Sequence, residues 1–314
     1  MYSYINMKSK QSKQSKQSKH VSRRITKKKT VNGTRKTTTF KKDKCGPSSK
    51  KAFTCYSDKA LIRLKKYWNI RHPDNIIYSN NNQYIWNELY NNISNTCNTE
   101  SCWLKQQFIK HNLSPELSKY TFAPRKPRSW ISNPNKWLDN SDITKVMLQY
   151  EYKYPCFDFI GPSPIDYNFI TLNGKCVWDE LCKFDVSKQI KKGKHRIGVI
   201  FNLDKHNLGG SHWVSLFIDL HDNIIYYFDS AGMSIPKGIM KFVNRIIRQS
   251  KNINKQIVFK QNKIIHQHSD TECGMYSLFF IIEMLQNDNN TKMFEKRIPD
   301  KVLIQLRNVY FNNY

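Results

Sequence analysis

Residues 273–285 constrain the fold more than any other stretch of the chain. They read Cys-Gly-Met-Tyr-Ser-Leu-Phe-Phe-Ile-Ile-Glu-Met-Leu, a helix-length segment that is apolar on nearly every side. A helix without a polar face must be enclosed by other elements. It is too short to cross a bilayer. No apolar run of about 18 residues or more occurs elsewhere in the chain, so no membrane span is expected. The N-terminus is basic but lacks the apolar stretch of a secretory signal peptide.

The elements that can enclose this helix precede it. Residues 197–203 alternate as a strand. The β-rich runs 213–220 and 224–228 are joined by the hairpin-like turn His221-Asp222-Asn223, and 256–260 reads as another strand. Helical spacing covers 143–150, and an amphipathic helix is predicted over 235–250. Strands in the middle flanked by helices make an α+β class.

Three polar segments interrupt these runs. Gly209-Gly210-Ser211-His212-Trp213 is a flexible loop delivering a histidine to the start of a β-run. In Tyr226-Tyr227-Phe228-Asp229-Ser230 a strand ends in a carboxylate. The loop Gln267-His268-Ser269-Asp270-Thr271-Glu272 runs into Cys273-Gly274 at the head of the apolar helix. A thiol at a helix N-terminus feels positive dipole charge, which favours the nucleophilic thiolate. An imidazole can take its proton and later return it to a leaving amine. A carboxylate fixes that imidazole's tautomer and orientation. The Cys273 N–H and the Gln267 amide are candidate donors for the oxyanion of a tetrahedral intermediate. The predicted site is therefore Cys273 as nucleophile, His212 as base, Asp229 as orienting group and Gln267 with Cys273 as oxyanion hole. His266 and His268 read as loop residues.

In order and spacing these residues resemble the adenain-like and SUMO-protease superfamily of cysteine proteases. There a His-Trp precedes an Asp or Asn at the end of the next strand, and a Gln stands six residues before a Cys-Gly. Here Asp229 follows His212-Trp213 by seventeen positions, and Gln267 precedes Cys273 by six. Trp137-Leu138-Asp139-Asn140 with Ile143 is similar to the family's Trp-Leu-Asn-Asp helix start, with the acid and amide reversed. The resemblance implies a papain-like cysteine protease of the adenain/SUMO-protease type, with a mixed central sheet flanked by helices. It also implies that Trp137 and Trp213 bind substrate as aromatic walls over its glycines. Glu272-Cys273-Gly274, together with the helical region around Cys102-Trp103-Leu104, looks like the viral branch, the maturation proteases of large cytoplasmic and giant DNA viruses. The lysine- and asparagine-rich composition suits such an AT-rich source.

Residues 1–52 are expected to be a basic disordered tail. The first 51 residues hold 17 Lys or Arg against one acid, Asp43, within a net charge of +28. With few apolar residues to bury, such a segment cannot offset its ordering entropy. Its charge makes DNA or another polyanion a candidate partner. Residues 53–125 are expected to form a helical arm: Ser57-Asp58 caps a helix stopped at His72-Pro73, and helices follow over 84–93 and 101–111. The arm either packs against the larger domain or grips a substrate protein beyond the scissile bond. The catalytic domain is then 126–314. Eight cysteines spread over a chain of this size suggest reduced thiols, with Cys176 and Cys182 buried and Cys97 and Cys102 ordinary helical thiols. No metal or organic cofactor signal is present, and the sequence does not give the oligomeric state.

Three functions follow. The first is an endopeptidase cutting viral structural precursors, after Gly-Gly, in the virion and host cytoplasm. The second is an isopeptidase removing ubiquitin-like modifiers from host proteins. The third is a basic nucleic-acid-binding virion protein without catalysis, which the intact Cys, His, Asp and Gln argue against.

Overall fold

Ser57 opens the first helix as its position predicts. Its side chain accepts the Ala60 N–H, and α1 (Asp58–Arg71) runs to a C-cap at His72. The chain is described by a computed structural model that covers residues 40–110 and 115–313. Asn81 caps α2 (Asn82–Ile93) in the same way. The helix expected over 101–111 is instead two single turns, α3 (Glu100–Trp103) and α4 (Gln107–Lys110). The reason is Glu100. This carboxylate is buried, accepts from Thr54, the Cys55 N–H and the Trp86 indole, and so fixes the turn from its first residue. Then follows α5 (Pro115–Tyr120). Leu61, Leu64, Ile85, Leu89, Trp103 and Ile109 form the arm's core.

Two expectations about the N-terminal half fail. Residues 40–52 are not tail. Phe40 packs edge-on to Tyr90 at 5.0 Å, Asp43 accepts the Ser101 N–H at 2.6 Å, and Cys45 is disulfide-bonded to Cys55. One aromatic, one acid and one cysteine supply partners that a charge count conceals. Residues 1–39 lie outside the described residues, and the polyanion-binding expectation lies with them. Nor are the cysteines reduced: Cys97 is bonded to Cys102 and Cys176 to Cys182 as well, leaving Cys156 and Cys273 as thiols.

The catalytic region begins with α6 (Asn140–Lys153). A capping box holds its start: Asp139 accepts the Asp142 N–H, and Asp142 accepts that of Asp139. In order there follow β1 (Phe157–Phe159), β2 (Ser163–Pro164), α7 (Asp179–Cys182), α8 (Val186–Lys191), β3 (Arg196–Asn202), β4 (Trp213–Asp219), β5 (Ile224–Phe228), α9 (Lys237–Lys251), β6 (Val258–Gln261), α10 (Cys273–Gln286) and α11 (Asp300–Tyr310). They build one mixed sheet in the order β1-β3-β4-β5-β6, with β2 beside the far half of β3. β3, β4 and β5 are antiparallel, whereas β1, β2 and β6 run parallel to their neighbours.

Period-two alternation sorts the side chains between two cores. Val214, Leu216 and Ile218 of β4 join Ile239, Phe242 and Ile246 of α9. Trp213 and Phe217 face the other way, into the core formed by α6, α10 and α11. Gly198 of β3 sits where a Cβ would meet the Phe157 ring at 2.9 Å and Ile281 at 3.1 Å, so its lack of a side chain lets α10 press onto the sheet. The apolar helix is thus enclosed as required: every residue of α10 from Cys273 to Ile282 is buried.

Arm and catalytic region belong to one compact unit. Asn312, past the end of α11, ties them together. Its side chain accepts the Lys44 N–H and donates to Lys44 O and Ala123 O, while its backbone exchanges hydrogen bonds with Pro124 and Lys126.

Candidate active site

The loop before β4 is tied down on its own polar residues. Asn202 Oδ1 accepts the Asp204 and Ser211 N–H groups, and Asp204 accepts the Gly210 N–H and the Ser211 hydroxyl. Gly210 has φ +93°, a conformation that favours glycine. Leu203 N–H closes the loop on His212 O. On the neighbouring strand, β5 delivers Asp229 one residue past Phe228. His212 Nε2 lies 2.7 Å from Asp229 Oδ1. With Nε2 held there, the other ring nitrogen remains for the Cys273 thiol, which lies near enough to act on the His212 pKa.

Burial pulls the His212 pKa down. The hydrogen bonds to Asp229 and Cys273, with the charges of both, outweigh that pull, and the pKa is pushed up to about 10. At neutral pH the imidazole is therefore a cation between two acidic groups, the arrangement that suits an imidazolium–thiolate pair.

Asp229 is itself clamped by a residue the sequence reading passed over. Its N–H donates to Asn262 Oδ1 at 2.9 Å, and Asn262 Nδ2 donates to its carbonyl at 2.8 Å. The loop after Asn262 then fastens to Ser230, whose carbonyl accepts the His266 and Gln267 N–H groups. Gln267 is fixed by its side chain as well: Oε1 accepts from Ser230 Oγ at 2.8 Å, and Nε2 donates to Ser269 O. One amide N–H of Gln267 is left over by count. His266, expected as a plain loop residue, is fully buried; its Nδ1 accepts the Ile298 N–H at 3.1 Å. Burial first, and the charge of Arg297 second, lower its pKa to about 4.

Cys273 is the first residue of α10, where backbone N–H groups lack intrahelical partners. Behind it Glu272 is fully buried and gripped by Arg307 of α11, Nε to Oε2 at 2.9 Å and Nη2 to Oε1 at 3.0 Å. The same guanidinium donates to Lys136 O at 2.9 Å and lies 4.3 Å over the Trp130 ring. It therefore joins the segment leading to the thiol to the segment leading to Trp137. No motif marks Arg307, whose role depends on a contact 35 positions away in sequence.

Trp137 and Trp213 both line a groove of about 730 Å³, along with Trp178, Asp204 and His206. Trp137 is 41% exposed, whereas Trp213 is 5% exposed and donates its indole N–H to Leu138 O at 3.1 Å. Asp139, the reversed residue of the Trp-Leu pair's motif, is occupied as the α6 cap.

Comparison with known proteins bears on the family and the fold. The Ulp1 protease family, C-terminal catalytic domain, matches residues 171–314. A cysteine protease of African swine fever virus (isolate Tick/Malawi/Lil 20-1/1983) is 30% identical over 231 residues, covering 68% of this chain and 83% of that protein. The corresponding protein of isolate Pig/Kenya/KEN-50/1950, with the same identity and coverage, is named a SUMO-1 cysteine protease. Thiol protease R355 of Acanthamoeba polyphaga mimivirus is 29% identical over 271 residues, covering 84% of this chain and 85% of that one. The crystal structure of the African swine fever virus protease shares the fold with a TM-score of 0.61 at 24% identity, covering 86% of this chain and 96% of that one. Fold and relatives together define a cysteine protease. More narrowly, the chain belongs to the Ulp1 protease family.

Proposed function

We propose that this protease cuts viral structural precursor proteins after Gly-Gly during virion maturation, working in the virion and host cytoplasm. The observation that carries the chemistry is the His212–Asp229 pair at 2.7 Å, with Cys273 at the head of a buried helix acting on the same imidazole. The Cys273 thiolate attacks the scissile carbonyl carbon, and the carbonyl electron pair moves onto oxygen. The Cys273 N–H and the spare Gln267 N–H stabilise that oxyanion. The His212 imidazolium gives its proton to the leaving nitrogen as the C–N bond breaks, leaving a thioester. His212 then takes a proton from water, whose oxygen attacks the thioester and releases the thiolate.

The glycine preference rests on Trp137 and Trp213 at one groove. A slot between aromatic walls admits a glycine Cα and excludes a Cβ. Fluorogenic peptides ending in Gly-Gly, Gly-Ala and Ala-Gly test this: the first should be cut at least about a hundredfold faster, and equal rates would remove the slot. The name SUMO-1 cysteine protease borne by a relative favours a second reading, release of ubiquitin-like proteins from conjugates. Rapid hydrolysis of a SUMO conjugate without cleavage of virion precursors would establish that reading in place of the first. The 17 Lys and Arg within residues 1–51 support polyanion tethering of the enzyme. Heparin should then inhibit cleavage of DNA-bound precursors more than that of free peptides.

A further inference from the structure

A cavity of about 800 Å³, separate from the groove of Trp137 and Trp213, opens between the arm and α6. Its apolar surface comes from Leu104 and Phe122 of the arm and Leu148 of α6. Round it stand five exposed cations: Lys105, Lys110, Lys119, Arg125 and Lys145. Among the described residues, no carboxylate lines it and none of the five cations makes a salt bridge. The groove of Trp137 and Trp213 differs, for its Lys136 and Lys205 are accompanied by Asp139 and Asp204.

Three of the neutral polar side chains of the cavity are already engaged. Gln149 donates to Lys119 O and Phe122 O, Asn312 to Lys44 O and Ala123 O, and the Ser101 hydroxyl to Asp43. What remains for a ligand is positive charge around an apolar floor. The aromatic rings offer little to a nucleobase: Phe122 is buried, and Tyr120 is stacked on Tyr152 with centroids 4.3 Å apart and planes 5° from parallel. The side-chain amides that could read an adenine edge, Gln149 and Asn312, are spent on backbone carbonyls.

We propose that this cavity is a docking site for an acidic peptide segment bearing large apolar side chains, presented by a protein that the enzyme engages. Carboxylates meet the five cations and an apolar side chain enters against Leu104, Phe122 and Leu148. Because the site is walled by both the arm and α6, its occupant bridges the two. The inference does not depend on which bond the enzyme cuts, and it is tested by binding alone.

The probe is a fluorescein-labelled peptide of alternating Glu and Phe, titrated with the full chain and followed by anisotropy. Lys119→Glu/Lys145→Glu and Leu148→Asp alter only exposed side chains, so both variants should keep the parental melting temperature. Each should weaken binding by roughly tenfold or more. Lys237→Glu/Lys241→Glu, an equal change of charge on α9, should leave binding nearly unchanged. Both pocket variants should still cleave a short Gly-Gly peptide at the parental rate. The proposal falls if the α9 variant loses as much affinity as the pocket variants, since the peptide would then read net charge. It falls equally if the pocket variants bind the peptide normally, or if no binding is seen. Displacement of the peptide by a single-stranded oligonucleotide or by phosphatidylserine vesicles, with the same sensitivity to Lys119 and Lys145, would assign the cavity to nucleic acid or lipid instead.

Discussion

Two histidines near the thiol are driven in opposite directions, and the pH behaviour follows from both. His212 has its pKa raised from 6.5 to about 10 by Asp229 and Cys273. Its cation therefore contributes stability that is complete below about 6.5 and is lost as pH rises through about 10. The proton for the leaving amine disappears over the same upper range. Cleavage of a Gly-Gly peptide should therefore fall as pH approaches 10, while alkylation of Cys273 by iodoacetamide persists. A parallel loss of alkylation would mean that the thiolate does not outlast the cation. His266 has its pKa lowered to about 4 by burial and by Arg297. Its neutral form contributes stability that is complete above about 6.5 and is lost as pH falls toward 4, on the order of 3 kcal/mol. His266→Gln should flatten the acid limb of a melting-temperature profile between those pH values. Arg307 acts at the same scale. Removing one partner of a buried ion pair costs about 3–5 kcal/mol, so Arg307→Met should lower the melting temperature sharply. Arg307→Lys keeps the charge but cannot grip both Glu272 oxygens together with Lys136 O. If the fork holds the thiol in register, kcat should drop by about tenfold for folded Arg307→Lys protein with little change in KM. An unchanged kcat would reduce Arg307 to a stabilising role.

At the scale of elements, α10 is the part on which the site depends. Its first turn must carry the thiol while its flank lies against Leu138 and Trp213. Gly274 makes that approach possible: a Cβ there would sit 3.1 Å from Leu138 Cβ and 3.3 Å from Trp213 Cδ1. Gly274→Ala should cost about 1–3 kcal/mol by overpacking. Because the displaced neighbours line the groove of Trp137, proposed to hold the substrate's glycines, KM for a Gly-Gly peptide should rise by more than the stability loss explains. The sheet supplies the rest of the positioning. The antiparallel register that pairs Ser215 with Phe228 brings the residues flanking those strands, His212 and Asp229, side by side. The hairpin turn at Asn223, φ +55°, lies at the opposite end of that strand pair and leaves the catalytic end open.

For the whole molecule, the disulfides and Asn312 change what the N-terminal half is. Cys45–Cys55 and Cys97–Cys102 fasten the arm to itself, and Asn312 fastens arm, linker and C-terminus together. Without reductant, iodoacetamide on unfolded protein should label only Cys156 and Cys273; with reductant it should label all eight cysteines. Intact-mass measurement counts the adducts, and eight without reductant would contradict the pairing. Each closed loop is worth about 2–3 kcal/mol, so reduction should lower the melting temperature of the folded chain.

The sequence by itself determined the chemistry and most of the regular elements around it. The caps Ser57 and Asp139, the alternation of the central strands and the apolar run after Cys273 act through neighbours a few positions away, and local spacing reports them. The order His212, Asp229, Gln267, Cys273 was legible for the same reason: each residue closes or opens a periodic run. Tertiary structure alone decided which cysteines pair, that residues 40–52 join the arm, and that Asn262, His266 and Arg307 hold the site. These roles are set by partners up to 268 positions distant. No local period or charge count encodes such a contact, because its energy appears only once the sheet and α10 have brought the two segments together.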